Sequence, residues 1–319
     1  MTTVRIDYAS EDFPAGSIAN GAGVINTTWD DILWSAVTVG RPNRSYVFRH
    51  GTASAYEALF RWSLTRMAIE QRGPAGQRLW RTDAARTLDP SEKGAVNYFL
   101  GMTFCKLFAS ALLDTPWLLH LDVFRPMLDP VLTGRSRPDM VGKTTVTGKW
   151  HAFESKGRAS VPNDTAKDKA KEQAERLVKV DGVNCDLHIG AITYFRNNIL
   201  NFYWRDPEPR TLKTIEVVES DQAWGHYYAP VVGLLNDRRD QRHSTDGRTS
   251  LRIEEADLEI SIHPDIQPLL MNGEWLRTHH LCLELQGLLL ESGYKPDGIS
   301  IKAGETWSRR FRELSGVEG

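Results

Sequence analysis

The chain has 319 residues, 41% of them hydrophobic, which is enough to bury a sizeable core in two domains or one enlarged one. With 25% charged residues and a formal net charge of −2 there is no global basic field, so a nucleic-acid partner must be met by a local patch. No run approaches the roughly eighteen apolar residues that span a bilayer, and MTTVRIDYASEDFPAG at the start is not a basic-then-apolar leader, so the expectation is a cytoplasmic protein with no membrane partner.

In chain order, residues 1–85 form an N-terminal extension that reads as irregular, with a strand at SYVFRH and a helix at AYEALFRWSLTRMAIEQ whose Leu59, Trp62 and Met67 share a stripe. Trp29, Trp34, Trp62 and Trp80 are expected to anchor a small core. Residues 86–215 form a second unit. It opens with a helix at LDPSEKGAVNYFLGMTFCKLFASALLD, N-capped by Ser91 and ended by Pro116. WLLHLDVF follows as an alternating strand with His120 and Asp122 on its polar face. Strands at DMVG and WHAFESK flank a turn at TGK. A helix at TAKDKAKEQAERLVKV, capped by Asp164, precedes the strands CDLHIGAITYF and ILNFYW. The order helix, strand, strand, strand, helix, strand, strand predicts an α/β chain with a mixed sheet flanked by helices. Residues 216–319 read as a mixed, partly helical region, with NDRRDQRHSTDGR as a solvated loop and a strand near DGISIKAG. Cys105, Cys185 and Cys282 are odd in number and far apart, which suits buried small hydrophobes and neither a disulfide framework nor a zinc site.

The stretch RPDMVGKTTVTGKWHAFESKGR, residues 137–158, carries two signatures that exclude one another. A phosphate-cradling loop needs G-x-x-x-x-G-K-[ST], but the position of its first glycine holds Arg137, followed by Pro138, which has no N–H to donate. The other signature needs an acid at one strand end, a second acid on the adjoining strand and a lysine two residues later. Strand alternation puts Glu154 and Lys156 on one face, and the turn at Thr147 to Lys149 folds the strand of Asp139 back beside them. Two converging carboxylates suit a hard divalent ion, and a lysine beside them can compensate charge that develops on a phosphodiester.

Pro138-Asp139 and Glu154-Ser155-Lys156 resemble the motif of the PD-(D/E)XK nuclease superfamily, and the element order over about residues 90–205 is similar to its αβββαβ restriction-endonuclease-like core. PDGISIK, residues 296–302, is an incomplete second match in which Ser300 stands where the acid should be. The resemblance implies a Mg2+- or Mn2+-dependent deoxyribonuclease acting in bacterial defence or DNA processing. It implies metal ligation by Asp139, Glu154 and the Ser155 carbonyl, with Lys156 catalytic. Glu92, in the first turn of its helix, matches by position an additional acid of the metal site, and Gln173 matches a residue that some members send to the active site. Alternatives are a catalytically silent DNA-binding or assembly subunit of the same fold, or a ribonuclease. A homodimer and membership of a multi-protein defence complex are both compatible with the family.

Residues 134–176 hold ten Lys and Arg against six Asp and Glu, a local basic surface on a nearly neutral chain. Arg135, Arg137, Lys143, Arg158 and Lys169 are the candidates for contact with a DNA backbone.

Overall fold

The computed structural model describes residues 3–39, 52–73, 77–121, 137–177, 179–180, 183–206, 221–237, 242–245 and 248–309. The predicted strand at 45–50, Asp122 and Arg135 lie outside the described residues. The elements run β1 (Val4–Glu11), β2 (Gly21–Thr27), α1 (Trp29–Thr38), α2 (Thr52–Ala68), β3 (Ile69–Arg72), β4 (Arg78–Arg81), α3 (Asp83–Thr87), α4 (Pro90–Leu113), β5 (Trp117–His120), β6 (Met140–Lys143), β7 (Trp150–Arg158), α5 (Asp164–Ala174), β8 (Lys179–Val180), β9 (Val183–Arg196) and β10 (Ile199–Arg205). The remainder holds α6 (Asp221–Asp237), β11 (Arg242–Thr245), β12 (Arg248–Ile253), β13 (Leu258–Ile262), α7 (Gln267–Met271), α8 (Trp275–Glu284), α9 (Gln286–Glu291) and β14 (Ile299–Ala303).

A mixed sheet in the order β2-β1-β4-β10-β9-β7-β6-β5 organises the first two thirds of the chain. Strands β5, β6 and β7 form an antiparallel meander, after which α5 crosses over and β9 returns parallel to β7. Parallel neighbours need such a crossover. The N-terminal region is not irregular: β1 pairs antiparallel with β2 and parallel with β10, extending the same sheet. Val4 and Ile6 are buried while Arg5 between them is exposed, a period of two that marks the strand. Trp29, Trp34 and Trp62 are buried as expected, whereas Trp80 is half-buried.

Helix α4 is capped by Asp89 and not by Ser91. The Asp89 carboxylate accepts from the N–H groups of Ser91 and Glu92, and the Glu92 carboxylate accepts from the Asp89 N–H. This reciprocal box satisfies donors that the first helical turn leaves over, and Pro90 at the first helical position has no N–H to satisfy. The helix is long and apolar enough by composition to cross a bilayer, a property the sequence reading missed. Two thirds of that stretch, 67%, is buried, and α4 lies against β7 and β9.

Two glycines let helix and strand touch. A Cβ on Gly157 would lie 1.6 Å from the Asn97 carbonyl oxygen, and one on Gly101 would lie 2.9 Å from the Gly157 nitrogen. Only glycine at both positions permits this approach of backbones. On the opposite face of the sheet α5, capped by Asn163 and not by Asp164, lies over Gly190, where a Cβ would meet the Lys171 nitrogen at 2.7 Å.

The region read as a solvated loop after Asn236 contributes β11 and β12 to a second, antiparallel sheet, β11-β12-β13-β14. That sheet is tied to the rest through a fully buried polar cluster. Asp297 accepts from Trp34 Nε1 at 2.6 Å, the Tyr227 hydroxyl at 2.7 Å and the Ile299 N–H at 3.1 Å. Lys106 of α4 donates to the Tyr227 hydroxyl and lies over the rings of Trp34 and Tyr227, 4.2 and 4.3 Å from their centroids. The incomplete motif at Pro296-Asp297 is therefore part of the core. All three cysteines are buried and unbridged, in line with expectation.

Candidate functional site

The two motif acids meet where β6 begins, beside the middle of β7. Val141↔Ala152 and Met140↔Phe153 are paired in the antiparallel register, so the next positions outward are Asp139 and Glu154. Their contact is reciprocal through the backbone. The Asp139 N–H donates to Glu154 Oε2 at 3.1 Å, and the Ser155 N–H donates to Asp139 Oδ2 at 3.0 Å. The Lys156 ammonium is hydrogen-bonded to Glu154 Oε1. Glu154 has a side-chain exposure of 0% while Lys156 keeps 37%, so the acid is enclosed and the ammonium reaches solvent.

Enclosure sets the charge states. Burial, and next the charge of Asp139, push the Glu154 carboxyl up to about 7 from an ordinary 4.5, against the opposing pull of Lys156 and the Asp139 N–H. Asp139 is also raised, chiefly by burial, with the Ser155 N–H, Lys156 and Arg137 opposing. Two carboxyls under this strain accept a shared proton or a cation, and their all-oxygen donor set suits a hard divalent ion. Among the described residues no third His, Cys, Asp or Glu joins them.

A raised acid pKa has a definite stability sign. The folded form holds its proton to higher pH than the unfolded chain, so this acid's contribution to stability falls as pH rises from about 4.5 through about 7. In chelator, Glu154→Gln is therefore expected to gain stability over wild type at pH 8 by on the order of 3 kcal/mol relative to their difference at pH 4. Glutamine keeps an acceptor for the Asp139 N–H. Urea unfolding of both proteins at the two pH values checks this, and a pH-independent difference counts against it.

The other sequence candidates fall at varied distances from this pair. Arg137 is half-buried and its charge acts on both Asp139 and His120. Arg158 is exposed at the end of β7, on the face of Glu154 and Lys156 by alternation. Ser155 points to the other face and its N–H holds Asp139. Lys143 ends β6, so it lies roughly 13 Å along the strand from Asp139 at about 3.3 Å per residue, with its ammonium over the Trp150 ring. A turn into β7 follows it where a nucleotide loop would open a helix. Glu92 is exposed and engaged in the α4 cap, and it is not grouped with the two acids.

Helix α5 covers the face that carries Glu154 and Lys156, because Gly190, in register with Glu154, is the residue on which its backbone rests. Lys171 turns toward β10, where it meets Asp206 at 2.8 Å. Gln173, two residues on at about 100° each, lies on the other flank of α5, the β7 side. It is half-buried, and its Oε1 is enclosed with no hydrogen-bond partner among the described residues. Lys169 is exposed on α5. The basic surface is weaker than the sequence count, since Lys149 pairs with Asp186, Lys167 with Glu11 and Lys171 with Asp206.

His120 is buried at the end of β5 and held neutral, its pKa lowered to about 3 by burial and then by the charges of Arg137 and Arg61. Two residues that the sequence reading did not single out belong to this neighbourhood. Tyr98 of α4 has its hydroxyl pushed up to about 12 by burial and then by the Asp139 charge, with Glu154 adding to it. Arg61 of α2 is buried, donates to the carbonyls of Ala36 and Val39, and acts on both Tyr98 and His120. Neither has a local spacing signal. Helix packing brings them to the strand ends. No family model, curated protein or solved structure matches the chain.

Proposed function

We propose that the chain is a metal-dependent deoxyribonuclease in which α4, β5, β6, β7, α5 and β9 form a restriction-endonuclease-like core. The observation that carries the reading is the interlock of Asp139 and Glu154 through each other's neighbouring N–H groups, with Lys156 on the same face of β7. Asp139, Glu154 and the Ser155 carbonyl would hold Mg2+ or Mn2+. Such an ion supplies Lewis-acid polarisation of the scissile phosphodiester. Lys156, on the same face as Glu154, would orient the attacking water and offset charge growing on the phosphoryl oxygens. Arg137, two residues before Asp139, and Arg158, four residues after Glu154, both continue outward from the acids along the lines of their strands and suit neighbouring phosphates. A place in bacterial defence or DNA processing is part of the same proposal.

The test compares cleavage of matched DNA and RNA with Mg2+ and with chelator, beside the Asp139→Asn variant. DNA is expected to be cut only with metal and only by wild type. By titration calorimetry Asp139→Asn should lose at least tenfold in Mn2+ affinity while remaining folded, because asparagine keeps an acceptor for the Ser155 N–H but not the charge. Unchanged metal binding in that variant sinks the metal site. Cleavage of RNA alone selects the ribonuclease reading, and cleavage of neither selects the silent binding module.

A further inference from the structure

The sheet face that carries Glu154 and Lys156 continues well beyond the acids. Register fixes which side chains share it. Lys156 is level with Ile192, Tyr203 and Ala9, and Arg158 is level with Tyr194, Asn201, Asp7 and Val24, so both rows cross from β7 to the N-terminal strands on one side of the sheet. One alternation farther along, Arg196 follows Tyr194 on β9 and Arg5 precedes Asp7 on β1. Helix α5 covers only the nearer end, where Ala170 packs with Ile192, Tyr194 and Tyr203 and Ala9 lies against them. Past that cover Arg158, Arg196 and Arg5 are exposed and Val24 is 40% exposed, while Ile6, Phe195 and Phe202 on the other side of the same strands are core.

The charge on this open part is one-sided. Arg5, Arg158 and Arg196 have no ion-pair partner among the described residues, and Asp7, the one acid of these strands on the uncovered part, is already paired with Arg78. The Tyr194 hydroxyl, raised by burial, feels Arg196 against that rise and Asp7 with it, as side chains on one face should. A chain of net charge −2 thus gathers unpaired guanidinium groups on the face of its acidic pair. We infer that this open face, to which the N-terminal strands β1 and β2 contribute, carries the phosphate backbone of duplex DNA on its way to the acids, an inference that rests on the nuclease reading for its substrate. With strands about 4.8 Å apart and same-face positions about 6.7 Å apart along a strand, Arg158, Arg196 and Arg5 span roughly 16 Å. That is about five base-pair steps of duplex. Long exposed arginines suit phosphate oxygens, and contacts of this kind position a duplex without reading its sequence.

The test uses the full chain and the double variant Arg5→Ala/Arg196→Ala, whose side chains are exposed and make no hydrogen bond or ion pair among the described residues, so that the fold does not depend on them. A control variant, Arg277→Ala/Lys302→Ala, removes the same charge from exposed positions outside this sheet. Binding of a labelled DNA duplex is measured by fluorescence anisotropy in chelator over a series of salt concentrations, which separates it from cleavage. Wild type and control are expected to share one steep salt dependence. Arg5→Ala/Arg196→Ala should lose about tenfold in affinity at low salt and about 2 in the slope of log K against log salt, near one for each phosphate contact removed, to the same extent for any duplex sequence. A slope equal to that of the control overturns the DNA face, as does a wild type that binds no duplex at low salt. If the slope falls as expected while wild type cuts nothing with Mg2+ or Mn2+, the nuclease reading is lost and the DNA face stands. Metal-dependent cleavage with an unchanged slope keeps the nuclease and removes the face.

Discussion

Lys156→Ala is expected to lower single-turnover DNA cleavage by on the order of 100-fold or more while changing DNA affinity little. The ammonium is ion-paired with Glu154 and reaches solvent, which places it to act on a reacting group above the acids. An interaction that strengthens only as charge develops on the phosphoryl oxygens appears in the rate and not in the ground-state affinity. A lysine that merely held a phosphate would do the reverse, reducing affinity and the salt dependence of binding. Single-turnover rates and equilibrium binding at fixed Mg2+ and salt separate the two. Equal rates for wild type and variant would show that Lys156 takes no part in cleavage.

Lys106→Leu is expected to cost about 3–5 kcal/mol of stability near neutral pH, the usual consequence of leaving a buried charge without its partner. Burial already raises the Asp297 carboxyl, and the Lys106 charge is the main influence opposing that rise. Without the ammonium the acid must be protonated or remain charged in an apolar surrounding. The cost should therefore shrink as pH falls and the carboxyl becomes neutral, and Asp297→Asn in the Lys106→Leu background should recover at least about 1 kcal/mol. Urea unfolding of the single and double variants at pH 5 and pH 8 measures both effects. Additive losses with no dependence on pH would mean that the two residues are not coupled.

Alternation, caps and turn residues made the centre of this fold legible, because β6, β7 and the helix after them are built from local patterns. Glu154 and Lys156 could be put on one face by counting, and Asp139 opposite them by the turn at Gly148. What sequence could not supply were contacts between distant segments. Nothing near Asp297 announces that Lys106, Tyr227 and Trp34 will enclose it, and nothing near Tyr98 links it to Asp139. The N-terminal segment reads as irregular although Val4 and Ile6 alternate, since β10, a partner of β1, lies far along the chain. Pattern alone does not separate Ser91 and Asp164 from the actual caps Asp89 and Asn163, one or two residues away, because all four side chains can accept from a helical N–H. Gly157 was readable in principle. A glycine within a strand signals close approach of another backbone, here the Asn97 carbonyl.

The parallel pairing of β1 with β10 also bears on how the protein is made. Asp7 lies opposite Asn201, about 190 residues later, so a ribosome working at roughly 5–20 residues per second delivers β10 on the order of 10–40 s after β1. During that interval the β1–β2 hairpin has one open edge and an apolar face that includes Val4, Ile6 and Ile25. Such an edge is a template for pairing with another nascent chain. Synthesis thus imposes a waiting period on the amino-terminal strands, and crowded translation exposes them to exchange between neighbouring chains before their own partner arrives.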